Sequence, residues 1–188
     1  MIHGIDVSEW QGEIDWKLVP TDLFVIVRLT HGATIDPRAL ANLKGCAGRR
    51  VGAYHYLEAR VDVYAQARAF LEVLPESVDL LALDIEEGAA NVAEHALEWL
   101  AAVEDVSGAT PLVYTNTGFG AAHGFARHPE LARYPLWVAH WPRAGRTLAL
   151  PSIPEPWTSW SIWQHSNVGH VPGIRGPVDL NCMQESST

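Results

Sequence analysis

The chain of 188 residues is long enough for one domain with a core of ordinary size and too short for two. Its net charge of -9, with only 13 Lys plus Arg, argues against nucleic acid as a partner, because that affinity depends on basic side chains that displace phosphate counterions. No apolar run is long enough to span a membrane, so we expect a soluble protein, and we expect it to be a monomer.

Strand-like apolar runs alternate with helical patterns through the first half of the chain. The runs that predict strands are residues 2–7, 23–29, 51–57 and 78–85. The amphipathic segments that predict helices are residues 37–48, 61–74 and 91–106. Nearly continuous apolar strands separated by helices are typical of a parallel sheet that is covered on both faces.

The pattern changes after residue 116, where strand-like runs are separated by Pro- and Gly-rich loops without long helices. The predicted strands of this half are 111–116, 136–141, 159–165 and 177–181. About eight strands and roughly five helices are fewer elements than a complete (β/α)8 barrel contains. We therefore predict an α/β fold, a reduced TIM-like barrel whose last three strands lack intervening long helices. One domain should span residues 1–182, followed by a polar tail, 183–188.

The segment LALDIEEG, residues 81–88, ends a buried strand in carboxylates. Asp84 and Glu86 are two residues apart, so on a strand their side chains would leave the same face. Asp6 ends the first predicted strand and Asp179 lies in the last, and these two strands are neighbours in a closed barrel. The sequence therefore predicts four carboxylates around one cleft at the mouth of the barrel.

Crowded carboxylates raise one another's pKa, which leaves one of them protonated near neutral pH and able to act as a general acid. Such a group suits glycoside cleavage. Each Asp taken alone could instead cap a turn between a strand and a helix. A catalytic metal is the other alternative, but the nine His form neither an HxH nor an HExxH motif, and we expect no metal and no cofactor.

Seven segments follow one another along the chain: GIDVSEWQGEIDW, FVIVRLTHGATIDP, VGAYHYLEA, LALDIE, PLVYTN, LWVAHW and WSIWQHSNVGHVPGIRGPVDLN. In this order they resemble glycoside hydrolase family 25, the muramidases or lysozymes of the Chalaropsis type. The resemblance runs from the first residues to about Asn181. It implies a barrel of eight strands and about five helices that hydrolyses the β-1,4 bond between N-acetylmuramic acid and N-acetylglucosamine in peptidoglycan.

The resemblance also implies a role for each acidic residue. Glu86 would donate the proton to the leaving oxygen, and Asp84 would face the anomeric carbon or the N-acetyl group, with Asp6 and Asp179 in support. Participation of the N-acetyl oxygen would remove the need for a protein nucleophile. The alternatives are a carbohydrate-binding barrel without turnover, and an N-acetylglucosaminidase or chitinase that uses the same acid.

Aromatic side chains should flank the mouth, because sugar rings present C–H faces that pack on flat apolar surfaces. The predicted substrate-binding residues are Tyr54, Tyr56, Tyr114, Trp141 and Gln164. Trp137 and Trp163 are predicted to lie in the core. The amino terminus lacks the pattern of a signal peptide, which is typical of a phage endolysin that is made in the cytosol and reaches the cell wall after holin-dependent release.

Overall fold

The computed structural model describes residues 1–142 and 150–184, and a closed barrel of eight strands lies at its centre. The strands are β1 (Ile2–Val7), β2 (Phe24–His31), β3 (Thr34–Ile35), β4 (Val51–Tyr56), β5 (Leu80–Asp84), β6 (Leu112–Asn116), β7 (Leu136–Ala139), β8 (Ile162–Gly169) and β9 (Val178–Met183). Around the barrel they follow the order β1, β9, β8, β7, β6, β5, β4, β2, and a β1–β2 pairing closes the ring. The predicted reduced barrel is confirmed, and the two-residue β3, which pairs with the end of β2, is an addition.

The helices pack against the outside of the barrel. They are α1 (Ala39–Gly45), α2 (Val63–Val73), α3 (Val92–Ser107) and α4 (Thr117–Ala122), with short 3-10 turns at Glu9–Gln11, Phe125–Arg127 and Pro129–Arg133. The first three correspond to predicted helices. The helix α4 was not predicted, because its sequence TGFGAA contains two glycines and shows no apolar periodicity. The part of the loop from β7 to β8 that the structure describes contains no helix.

Alternation along each strand divides the core into two parts. On β2, Phe24 and Ile26 point into the barrel with Ala82, Tyr114 and other residues, whereas the intervening valines pack outward against the helices. The lower part of the barrel interior is apolar, so it is closed to water. The upper part carries the polar side chains of the same inward rows, and this is the end of the barrel at which the parallel strands terminate.

The last strand closes the barrel in the opposite direction from the others. β9 pairs antiparallel with both β1 and β8, and its residue Asp179 lies directly opposite Asp6 of β1. Because β9 starts at the mouth instead of ending there, a residue at its beginning reaches the same layer as residues at the ends of the parallel strands. β9 continues to Met183, so the predicted tail begins inside this strand, and residues 185–188 lie outside the described part of the chain.

Candidate active site

The open end of the barrel holds a cavity of about 390 Å³ that brings the four predicted carboxylates together. Its lining includes Asp6, Asp84, Glu86 and Asp179, together with Tyr54, Tyr56, Tyr114 and Gln164 of the predicted substrate-binding set. Trp141 lines an adjoining cavity of about 370 Å³, which shares Glu86 and Tyr114 with the first. The two cavities therefore form one cleft, and Glu86 lies where they meet.

The prediction that Glu86 lies on the strand is wrong, because β5 ends at Asp84. The backbone N–H of Ile85 still donates to the carbonyl of Tyr114 at 3.0 Å, and the Ile85 side chain is buried outside the barrel. Beyond Ile85 the chain leaves the sheet, and Glu86 is exposed at the mouth while Asp84 is buried within it. A buried carboxyl and a solvent-accessible one therefore face the same cleft.

Asp6 and Asp179 form a hydrogen-bonded pair of carboxyl groups across β1 and β9. Burial raises the pKa of Asp6 to about 6, although hydrogen bonds from Asn181, Gln164 and Asp179 oppose the rise. Burial also raises the pKa of Asp179 to about 8, and the negative charges of Asp6 and Glu86 add to this effect. The pair therefore holds one proton near neutral pH, and its two ionisation steps belong to the pair as a whole.

Asp84 and Glu86 also bind protons more tightly than ordinary carboxyl groups. Burial raises the pKa of Asp84 well above its usual value, with further increases from the charges of Glu86 and Asp6. One oxygen of Asp84, Oδ1, has no hydrogen-bond partner among the residues that the structure describes. Burial and the charge of Asp6 raise the pKa of Glu86, but its exposure to solvent limits the rise, and the positive charge of Arg28 opposes it. A protonated Glu86 that reaches solvent is suited to donate a proton to a bound ligand.

Arg28 is a side chain of the candidate site that the sequence reasoning missed. It is buried on β2 and lines the carboxylate cavity. Its Nε donates to Asp36 Oδ2 at 2.7 Å and its Nη2 donates to Glu9 Oε1 at 2.8 Å. A single Arg inside the apolar run FVIVRLTH was the available signal, because a charged side chain on a buried strand requires partners.

The turn after β1 contributes a second group of missed residues: Ser8, Trp10 and Gln11. The Ser8 hydroxyl accepts from the backbone N–H of Trp10 at 3.2 Å, and the Ser8 backbone N–H donates to the Gln11 side chain at 2.8 Å. This capping box was readable in SEWQ, and it fixes the turn that presents Trp10 at the cleft with 81% of its surface exposed. An exposed indole at the rim gives a flat apolar surface for a ligand.

Buried aromatic residues of the inward rows also line the cavity. Trp137 is buried as predicted, yet it also lines the cavity, with its ring 4.7 Å from that of Tyr114 and 6.1 Å from that of Tyr54. Trp163 is buried on the outer side of the sheet. The aromatic residues of the inward rows therefore form the floor of the cleft.

His55 lies apart from the carboxylates and lines neither cavity. His55 points out of the barrel, stacks on Trp99 with ring centroids 5.0 Å apart, and bonds Thr30 and Gln66. Burial lowers its pKa to about 3. Within residues 1–142 and 150–184, no group of three or more His, Cys, Asp or Glu side chains is arranged to hold a metal ion.

Comparisons with known proteins agree with this arrangement. A family model described as glycosyl hydrolases family 25 matches residues 5–174. The uncharacterized protein YegX of Escherichia coli strain K12 is 36% identical over 200 residues, which cover 96% of this chain and 68% of YegX. Lysozyme M1 of Streptomyces globisporus is 30% identical over 211 residues, which cover 96% of this chain and 67% of that protein.

Solved structures show the same barrel. The crystal structure of the bacterial lysozyme from Streptomyces coelicolor superposes with a TM-score of 0.85 at 27% identity, over 99% of this chain and 93% of that one. The catalytic domain of endolysin ply40 from bacteriophage P40 of Listeria monocytogenes shares the fold, with a TM-score of 0.83 at 24% identity, over 98% and 93% of the two chains. The family match along the sequence and the barrel with its acidic cleft lead to one conclusion: the chain belongs to glycosyl hydrolase family 25.

Proposed function

We propose that the protein is a muramidase that hydrolyses the β-1,4 bond between N-acetylmuramic acid and N-acetylglucosamine in bacterial peptidoglycan. The observation that carries the proposal is that Glu86 lies at the junction of two cavities, with Asp6, Asp84 and Asp179 on one side of it. A polymer that crosses this junction would place a bond beside Glu86, a carboxyl group that is both proton-binding and open to solvent. Membership of the family and the likeness to lysozymes support this substrate class.

The proposed chemistry begins with Glu86 donating its proton to the glycosidic oxygen, so that the bond from this oxygen to the anomeric carbon breaks. The carbonyl oxygen of the N-acetyl group attacks the anomeric carbon and forms a cyclic oxazolinium intermediate. Water then attacks the same carbon, its proton passes to the Glu86 carboxylate, and the ring opens. The product keeps the configuration of the substrate, and Glu86 returns to its protonated form.

Asp84 is the proposed partner of the N-acetyl group during this sequence. Its Oδ1 is buried and has no partner in the described part of the chain, so it can accept a hydrogen bond from the amide N–H of the substrate. That contact would orient the carbonyl oxygen toward the anomeric carbon. Since Asp84 lines only the first cavity, the sugar that carries the reacting carbon would bind there, and the leaving sugar would bind beside Trp141.

The substitution Glu86→Gln tests the acid directly. It keeps the size of the side chain and removes the transferable proton, so the rate of peptidoglycan hydrolysis should fall by about 10²- to 10⁴-fold. Glu87→Gln is the matched control, because Glu87 is the next residue and lines neither cavity. If Glu86→Gln retained the full rate, Glu86 would not be the acid.

Product analysis separates the proposed activity from its alternatives. Digested cell walls are reduced with borohydride and hydrolysed, and the reduced amino sugar is identified by mass spectrometry. A muramidase yields muramitol, whereas an N-acetylglucosaminidase yields glucosaminitol, and a binding barrel without turnover yields neither above background. The proposed substrate would place the site of action at the bacterial cell wall. Bacteriophage origin and a monomeric state remain predictions.

A further inference from the structure

Two buried side-chain amides converge on one oxygen of Asp6. Asn181 Nδ2 donates to Asp6 Oδ2 at 2.7 Å, and Gln164 Nε2 donates to the same oxygen at 3.0 Å. Asn181 is 1% exposed and Gln164 is 2% exposed, so little water competes for these bonds. An oxygen that accepts two N–H donors is stabilised as part of a carboxylate and is a poor position for a proton.

Two tryptophans fix the direction in which the amides point. Trp137 Nε1 donates to Asn181 Oδ1 at 2.8 Å, and Trp141 Nε1 donates to Gln164 Oε1 at 3.1 Å. An indole N–H can only donate, so the amide atom that faces it must be the oxygen. The NH₂ group of each amide is consequently turned toward Asp6. The hydroxyl of Tyr114 reinforces the orientation of Gln164 by donating to Oε1 at 3.0 Å.

The amide hydrogen bonds distinguish the two carboxyl groups of the pair. Both amides donate to Asp6, and neither donates to Asp179, which shares a hydrogen bond with Asp6 across β1 and β9. The other titratable and charged groups that line the cavity with this pair are Arg28, His31, Tyr54, Tyr56, Asp84, Glu86 and Tyr114. The lower pKa of Asp6, about 6 against about 8 for Asp179, has the direction that the amide donors require.

We propose that the Trp137–Asn181 and Trp141–Gln164 pairs keep Asp6 ionised and assign the proton of the carboxyl pair to Asp179. Gln164 and Asn181 are then positioning residues that act through Asp6. One consequence rests on the proposed function: the negative charge of Asp6 raises the pKa of Glu86, so an ionised Asp6 helps the acid to retain its proton before catalysis. Trp141 lines the second cavity and donates to Gln164, so this hydrogen bond links the second cavity to the carboxyl pair.

Carbon-13 NMR titration of the enzyme labelled at the aspartate carboxyl carbons tests the assignment without substrate. Asp6→Asn and Asp179→Asn identify the two resonances. In the wild type the Asp6 carboxyl should ionise at lower pH than that of Asp179. Gln164→Leu removes one charge-assisted hydrogen bond, so the Asp6 transition should move upward by about one pH unit. Earlier ionisation of Asp179 in the wild type, or an unmoved Asp6 in Gln164→Leu, would overturn the proposal.

Gln66→Leu is the matched control, because it also removes a fully buried glutamine amide, one that bonds His55 outside the barrel. It should leave both aspartate transitions unchanged. If Gln164→Leu does not fold, Trp141→Phe with Tyr114→Phe keeps Gln164 and removes only the donors that orient it. This double variant should move the Asp6 transition in the same direction, and an unmoved transition would contradict the proposed role of the tryptophan.

Hydrolysis gives a separate readout that depends on the proposed function. With Asp6 more easily protonated, Glu86 should lose its proton at lower pH, so the alkaline limb of the pH–rate profile should move downward in Gln164→Leu and stay in place in Gln66→Leu. A failure of the muramidase assignment would leave the NMR result intact. A failure of the NMR result would refute the amide mechanism even if Glu86 is the acid.

Discussion

Replacing Arg28 with methionine removes a positive charge at the cleft that pairs with Glu9 and Asp36. Methionine keeps an unbranched stem of similar length, so much of the side-chain packing remains. What is lost is the pair of bonds to Asp36 at 2.7 Å and to Glu9 at 2.8 Å. The side chain of Asp36 is 0% exposed, whereas that of Glu9 is 42% exposed and can turn to water.

The expected loss of stability is determined mainly by Asp36. Breaking a buried ion pair by removing one partner destabilises a protein by about 3–5 kcal/mol, because a buried charge is left without compensation. Asp36 retains the backbone N–H donors of Glu9 at 3.1 Å and Arg38 at 2.8 Å, which places the effect at the lower end. We expect a decrease of about 3 kcal/mol in the free energy of unfolding, or about 6–12 °C in Tm for a chain of this size.

Urea unfolding followed by tryptophan fluorescence measures this change, since the chain contains eight Trp. Arg68→Met is the matched control: its ion pair with Glu72 is 3.8 Å long, with both side chains more than two-thirds exposed, and its loss should change stability by less than about 0.5 kcal/mol. A decrease below about 1 kcal/mol for Arg28→Met, or one equal to that of Arg68→Met, would refute the reasoning.

Two further substitutions test the electrostatics and the surface of the cleft. Asp179→Asn should raise Tm relative to wild type, and the difference should grow as pH rises from about 4 to about 8. The raised pKa of Asp179 in the folded state stabilises the wild type fully at pH values below the ordinary pKa of 3.8. This stabilisation is lost as pH rises through the folded-state pKa of about 8. Calorimetry that found parallel pH dependences would contradict this. Trp10→Ala should raise the KM for long glycans by up to about tenfold, because the exposed ring offers a flat apolar surface for a sugar. It should leave Tm unchanged, since the side chain is exposed, and Leu40→Ala on α1 should change neither KM nor Tm. An unchanged KM would exclude Trp10 from binding.

The strands of the barrel were predictable from local patterns, whereas the short elements between them and the exact strand ends were less predictable. Continuous apolar runs identify strands that are buried on both faces, which is why all eight strands of the barrel were found. The helix α4 and the short β3 were missed because they are too short for their sequences to show a period. The end of β5 was misplaced because Asp84, Ile85 and Glu86 continue the alternation of the strand after the sheet has ended.

The candidate site was also predictable only in part: its acidic residues were identified, and several of their neighbours were not. Four acidic residues at the mouth ends of three predicted strands indicated the cleft, since strand ends meet at one mouth in any closed barrel. Arg28 and Trp10 were missed because a single charge in an apolar run and an exposed aromatic residue each have common structural explanations. The amide donors to Asp6 could not be predicted at all, because Gln164 and Asn181 are 158 and 175 positions from it in the chain.

The sequence by itself determined the α/β barrel, the acidic character of its mouth and the family to which the chain is similar, because periodicity and motif spacing are local properties of the chain. Tertiary structure alone decided that β9 runs antiparallel to its neighbours and so sets Asp179 against Asp6. It also decided which carboxyl groups are buried and which donors reach them. Proton affinity depends on desolvation and on charges a few ångströms away, and these are fixed only when distant segments pack together.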